Sequence, residues 1–181
     1  MKLFIIVLLL IHAVCVQAAP PSNFLVNGDF AQPVTDGKIS GWKTGGSIVS
    51  EGNQKMLRLT GPNGERSGAV QTVALPAGSK SFKLEIKVRK GNVGNANYEV
   101  ILMTYDAEMK NLKPDGQPGV IVNSATELML AHEIAKPAKT WKTLTFTSKL
   151  PTNAVFFSVQ FLLIGDGSVD FTDVTCEAKT K

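Results

Sequence analysis

The sequence predicts an all-β chain folded as a two-sheet antiparallel β-sandwich. Three observations carry this expectation. Apolar and polar residues alternate with a period of two through most of the chain, the pattern of strands that bury one face. Clusters of Gly, Pro, Asn and Asp punctuate those runs at short spacing, which suits turns between neighbouring strands. Two motifs bracket the chain: Asn27-Gly28-Asp29-Phe30 followed by Gly41-Trp42, and Gly167-Ser168-Val169-Asp170-Phe171-Thr172-Asp173-Val174. A domain that opens and closes on strand motifs is expected to pair its termini in one sheet, at the sheet edge.

The elements follow in order. Residues 1–18 are predicted to be a signal peptide: Lys2 supplies the positive region, Leu3 to Ile11 is unbroken apolar sequence, and Val16-Gln17-Ala18 ends in a cleavage site. The run is too short for a membrane span, which takes about 20 apolar residues. Val14 stands where a lipobox before Cys15 needs a small residue. The chain is therefore expected to be secreted, with residues 19–181 as a single domain and no membrane span. Strands are predicted over Met56 to Thr60 and Ala69 to Leu75. In the next, Phe82, Leu84, Ile86 and Val88 alternate with Lys83, Glu85, Lys87 and Arg89. Tyr98 to Tyr105 is apolar on both faces; Thr143 to Thr147, Val155 to Ile164 and Val169 to Cys176 complete the set. Ala125 to Ala135 reads as a strand or a turn of helix within a long connection. Turns are expected at Gly61-Pro62-Asn63-Gly64, Pro76-Ala77-Gly78, Gly91 to Gly94 and Pro114-Asp115-Gly116. Many short strands with such turns make a sandwich.

Composition excludes several functions. The net charge is +4, and the basic residues are spread along the chain rather than gathered. Nucleic-acid binding needs a concentrated positive footprint, so no nucleic-acid partner is expected. Without the leader a single cysteine remains, Cys176, so no intrachain disulfide can form and the core must supply the stability. Cys176 reads as a small apolar residue of the last strand, with an intermolecular disulfide as the alternative. No Asn-X-Ser/Thr site for N-glycosylation occurs. The one histidine beyond the leader, His132, lies beside Glu133 without a His-Glu-X-X-His spacing, and no Gly-X-Ser-X-Gly elbow is present. A glycosidase needs two carboxylates across a cleft, which sequence alone cannot place. The sequence thus predicts no enzyme.

The order of motifs carries a resemblance. Asn27-Gly28-Asp29-Phe30, Gly41-Trp42, Val70-Gln71, Leu75-Pro76-Ala77-Gly78, the alternating strand to Arg89, Tyr105-Asp106, Thr140-Trp141 and Phe171-Thr172-Asp173-Val174 follow one another. This is similar to the jelly-roll carbohydrate-binding modules found beside cellulases and xylanases (families four, nine and twenty-two), of the galactose-binding-like fold. The likeness spans roughly residues 23–178. It implies a non-catalytic module that recognises a polysaccharide or glycan on one face of the sandwich. The alternative is an extracellular structural or protein-interaction sandwich with no sugar ligand. Trp42 and Trp141 occupy positions that the family packs inside. Its stacking aromatic before the Val-Gln strand is replaced here by Ser67-Gly68. Tyr98 shares a face with Val100 and Leu102 and is expected in the core, which leaves Tyr105 as the stacking candidate. The polar face would carry Gln71, Glu85, Lys87, Arg89, Glu99 and Gln160, hydrogen-bonding to sugar hydroxyls. The resemblance also implies one structural calcium ion, held by the backbone carbonyl of Asp29, a carboxylate after Phe30, carbonyls of the 64–67 loop and Asp173. Ala31 stands where that second carboxylate belongs; Gln32 and Glu65 are the available replacements. A self-standing module of this kind gains avidity as a homodimer.

Overall fold

The computed structural model describes residues 23–61, 67–94, 96–112, 120–122, 125–129, 131–135 and 137–180. The predicted signal peptide lies outside them, as do Glu65, most of the 61–64 turn and the 114–116 turn. In chain order the strands are β1 (Val34–Thr35), β2 (Lys38–Ile39), β3 (Lys43–Thr44), β4 (Ser47–Glu51), β5 (Gln54–Gly61), β6 (Ser67–Ala74) and β7 (Ser81–Gly94). They continue with β8 (Asn97–Tyr105), β9 (Val120–Val122), β10 (Ala125–Met129), β11 (Ala131–Ala135), β12 (Lys142–Lys149), β13 (Phe156–Ile164) and β14 (Gly167–Lys179). No helix forms among the described residues. The ambiguous 125–135 stretch resolves into two strands.

Two five-stranded antiparallel sheets make the sandwich. The front sheet runs β11-β8-β13-β6-β3 and the back sheet β12-β7-β14-β5-β4. Small hairpins, β1-β2 and β9-β10, lie outside them. The β1-β2 hairpin turns at Asp36-Gly37, with φ of 49° and 71°, the paired positive values of a type I′ turn.

Period-two alternation does what it predicts. Phe82, Leu84, Ile86 and Val88 of β7 and Val169 and Phe171 of β14 face Tyr98, Val100 and Leu102 of β8 and Phe157, Val159, Phe161 and Leu163 of β13, all fully or almost fully buried. Removing each such side chain from water contributes about 1.5–3 kcal/mol. A chain of rings runs through this core. Phe30 meets Trp42 at 5.5 Å, Trp42 stacks on Phe161 at 5.3 Å, and Phe161 stacks on Phe171 at 4.4 Å. Tyr98 meets Phe171 edge-on at 6.2 Å. The rings of the two terminal motifs, Phe30 and Phe171, are therefore joined through the core. Cys176 is fully buried and its thiol is pushed upward in pKa by desolvation, which leaves no accessible sulfur for an intermolecular disulfide.

The termini do come together, but in the middle of a sheet. β14 is the central strand of the back sheet, and the Asn23–Phe30 segment lies along it as turn rather than strand. Phe24 N–H donates to the Cys176 carbonyl at 3.1 Å and Val174 N–H to the Gly28 carbonyl at 2.9 Å. Gly28 is required by that approach: a Cβ there would sit 1.9 Å from the Val174 carbonyl oxygen.

Candidate functional site

Strand parity and register distribute the polar side chains over two outer faces and a cleft beside β14. On the back sheet, Asp170 of β14 stands opposite Arg58 of β5 on one side and Arg89 of β7 on the other. Its carboxylate has no solvent exposure. Arg58 donates to both oxygens, Nε to Oδ1 at 2.6 Å and Nη2 to Oδ2 at 2.8 Å, while Arg89 Nε reaches Oδ2 at 3.2 Å. The hydrogen bond to Asp170 raises the pKa of Arg58, so the cation persists at any working pH. Arg89 also pairs with Glu51 at 2.7 Å and lies over the Trp141 ring at 4.5 Å. Trp141 is thus half-exposed and stacked under a guanidinium, not packed in the core as expected. Farther along, Lys83 pairs with Glu85 at 3.0 Å and Lys87 with Asp173 at 2.8 Å.

The front sheet is different. Its outer face carries Ile101, Met103 and Tyr105 of β8, opposite Gln160, Ser158 and Phe156 of β13. Across β13 the same rows continue to Val70, Thr72 and Ala74 of β6. Ile101 and Met103 are buried with Tyr105 and Leu162 packed against them, a small apolar floor separate from the main core. Tyr105 Oη donates to Met103 Sδ at 3.5 Å, and Asn111 Nδ2 approaches the same sulfur at 3.7 Å. Asn111 Oδ1 is buried and accepts no hydrogen bond among the described residues. Thr72 and Ser158 hydroxyls bond each other at 3.2 Å. Gln160 is half-buried and Thr72 exposed. Glu99 sits on this face, opposite Leu162, and is buried. His132 takes the β11 position opposite Ile101, and its side chain lies outside the described set.

The six candidate ligand residues do not share one face. Tyr105 and Gln160 stand on the front face; Glu85, Lys87 and Arg89 stand on the back, each already in an ion pair. Gln71 belongs to neither. It is almost fully buried, and its amide clamps the chain at Val26: Val26 N–H donates to Oε1 at 2.7 Å, and Nε2 donates to the Val26 carbonyl at 2.8 Å. Its parity is that of buried Ala69, which points it inward, so it orients the N-terminal segment. Sequence reasoning missed Arg58 and Asp170. A signal existed: each is a charge between two apolar strand neighbours, Leu57 and Leu59 or Val169 and Phe171, and the two charges are opposite.

The two terminal motifs line an open cleft of about 570 Å³ beside β14, with Asp29, Ala31 and Asp173 on its wall. Asn27, Phe30 and Asp173 hold positive φ of 51°, 56° and 49°, and β14 shifts register between Thr172 and Thr175 to place Asp173 there. Asp29 Oδ1 accepts the Ala31 N–H at 3.1 Å. Among the described residues, no group of three or more His, Cys, Asp or Glu is placed to hold a metal ion.

No family model matches the chain, and no curated protein matches it. Solved structures do. The chain is similar to the enzymatically active domain of tailspike protein 4 from bacteriophage CBA120, with a TM-score of 0.59 and 12% identity, over 87% of this chain and 22% of that one. It is similar at the same TM-score and identity to a family 61 carbohydrate-binding module solved with β-1,4-galactotriose, over 87% of this chain and 99% of the module. A putative sugar binding protein from Bacteroides thetaiotaomicron matches with a TM-score of 0.56 and 13% identity, over 87% and 100% of the two chains. Likeness at this identity establishes the fold: the chain is a β-sandwich of the jelly-roll type seen in carbohydrate-binding modules. None of the helices among the described residues is long and apolar enough to cross a membrane, since none forms.

Proposed function

We propose that this is a secreted, non-catalytic module that binds a glycan across the outer face of the front sheet. One observation carries the reading: Tyr105 and Gln160 stand on the same face, half-buried, above an apolar floor of Ile101, Met103 and Leu162. A pyranose has an apolar face and a rim of hydroxyls. The Tyr105 ring and the floor suit the first, while the half-buried Gln160 amide suits the second. The solved module with bound galactotriose supports a saccharide as the ligand class.

The test is a glycan array together with pull-downs on insoluble polysaccharides, with folding verified by melting. Binding that is weakened at least about tenfold by Tyr105→Ala, equivalent to about 1.4 kcal/mol, supports the reading. A folded protein that binds no glycan overturns it and leaves the structural or protein-interaction sandwich in its place. N-terminal sequencing of the exported protein should start at Ala19; retention of residues 1–18 would remove the secretion part of the proposal.

A further inference from the structure

The resemblance to calcium-bearing modules sets an expectation that the donor atoms at the terminal cleft do not meet. Calcium takes six to eight oxygen ligands, with carboxylates supplying the charge. The position after Phe30 is Ala31, which offers only its carbonyl, and that carbonyl accepts a hydrogen bond from Lys55 Nζ at 3.1 Å. The Asp173 carboxylate, held toward the cleft by its left-handed backbone, is paired through Oδ2 with Lys87 Nζ at 2.8 Å. Asp29 spends Oδ1 on the turn, and the Asn27 carbonyl amide oxygen accepts the Gln32 N–H at 3.0 Å. Among the described residues, the carboxylates lining the cleft are Asp29 and Asp173, and Asp173 is ion-paired with Lys87. The described residues do not fit calcium.

We infer that two lysine ammonium groups take the place of a divalent cation where the terminal motifs meet. Lys55 extends from β5 to the N-terminal turn, and Lys87 extends from β7 to the bulge of β14. Lys55 ties the N-terminal turn to the back sheet, and Lys87 braces the bulge of β14 against its neighbour β7, both with monovalent charge. The backbone supports the same arrangement: Thr172 Oγ1, just before the bulge, donates to the Lys55 carbonyl at 2.9 Å and fixes the residue that carries one of the two tethers. Lys87 is by this account a tether of the fold and not a sugar ligand. The module's stability is then independent of calcium, whatever its ligand is. The inference rests on the cleft alone, and its failure would leave the glycan reading of the front face intact.

The experiment is a thermal melt of the full exported protein in excess EDTA and in millimolar calcium chloride, with calorimetric titration of calcium alongside. The expected result is one melting temperature under both conditions and no heat of binding. A saturable calcium site would raise the melting temperature by linkage, and that outcome overturns the inference. The double variant Lys55→Met/Lys87→Met should melt about 2–4 °C lower, with no rescue by calcium. A double variant that melts like the parent also overturns it, because the lysines would then hold nothing. Lys87→Arg, which keeps the charge, should melt with the parent. Adding Ala31→Glu to the double variant restores a carboxylate and removes both ammonium groups. That triple variant should gain a calcium-dependent rise that the parent lacks.

Discussion

On the back face, Asp170 is fully buried and accepts three hydrogen bonds from Arg58 and Arg89; on the front face, Asn111 Oδ1 is also buried and accepts none among the described residues. The back face holds the stronger charges, yet those charges are spent on one another. Arg89 serves Asp170, Glu51 and the Trp141 ring at once. The front face holds weaker groups, an amide, hydroxyls and one phenol, and no ion pair is formed there among the described residues. A side chain's chemical potency in isolation is thus a poor guide to its role. What a partner can use is the residual capacity after the fold has taken its share.

Substitutions can break or sharpen this contrast. The largest effect is expected at Asp170. Asp170→Asn removes a fully buried charge from between two guanidinium groups, and breaking such a network should cost about 3–5 kcal/mol, read by urea denaturation, while glycan binding by the remaining folded protein is unchanged. A loss of binding with unaltered stability would reverse the roles assigned to the two faces. Gln71→Ala comes next. It strands the Val26 N–H and carbonyl in a part-buried setting, for a loss of about 1–3 kcal/mol in the same measurement. Tyr105→Ala should do the opposite, weakening glycan affinity with stability nearly kept, since the residue lies at a strand end and is only half-buried. Glu85→Gln should change both quantities least, by under about 0.5 kcal/mol, because its pair with Lys83 is solvent-exposed on both sides.

Much of the fold was legible before any coordinates. The apolar sets of β7, β8 and β13 could be read from period-two alternation, and Trp42 and Tyr98 entered the core as expected. The candidate site was legible only in part. Parity along a strand says which residues share its face, but not which sheet the strand joins. Glu85, Lys87 and Arg89 were therefore grouped with Gln160, although β7 and β13 belong to opposite sheets. Gln71 was misplaced because its polarity outweighed its parity with Ala69. The N-terminal segment that makes an inward glutamine useful is 45 residues away in sequence. Trp141 was expected inside because the resembling family packs that position inside. Its register beside Arg89 instead gave the ring a cation to lie against.

By itself the sequence determined the all-β class, the longer strands from β5 onward and the core they bury, because alternation and turn chemistry are local properties. It also determined that the last cysteine has no partner within the domain. The tertiary structure alone decided which charges cancel, since ion pairs such as Arg58 with Asp170 join residues 112 positions apart. It likewise decided that the two terminal motifs meet at a central strand and that Lys55 and Lys87 bond to Ala31 and Asp173 there. Such outcomes depend on strand order, which non-local pairing sets and no local pattern encodes.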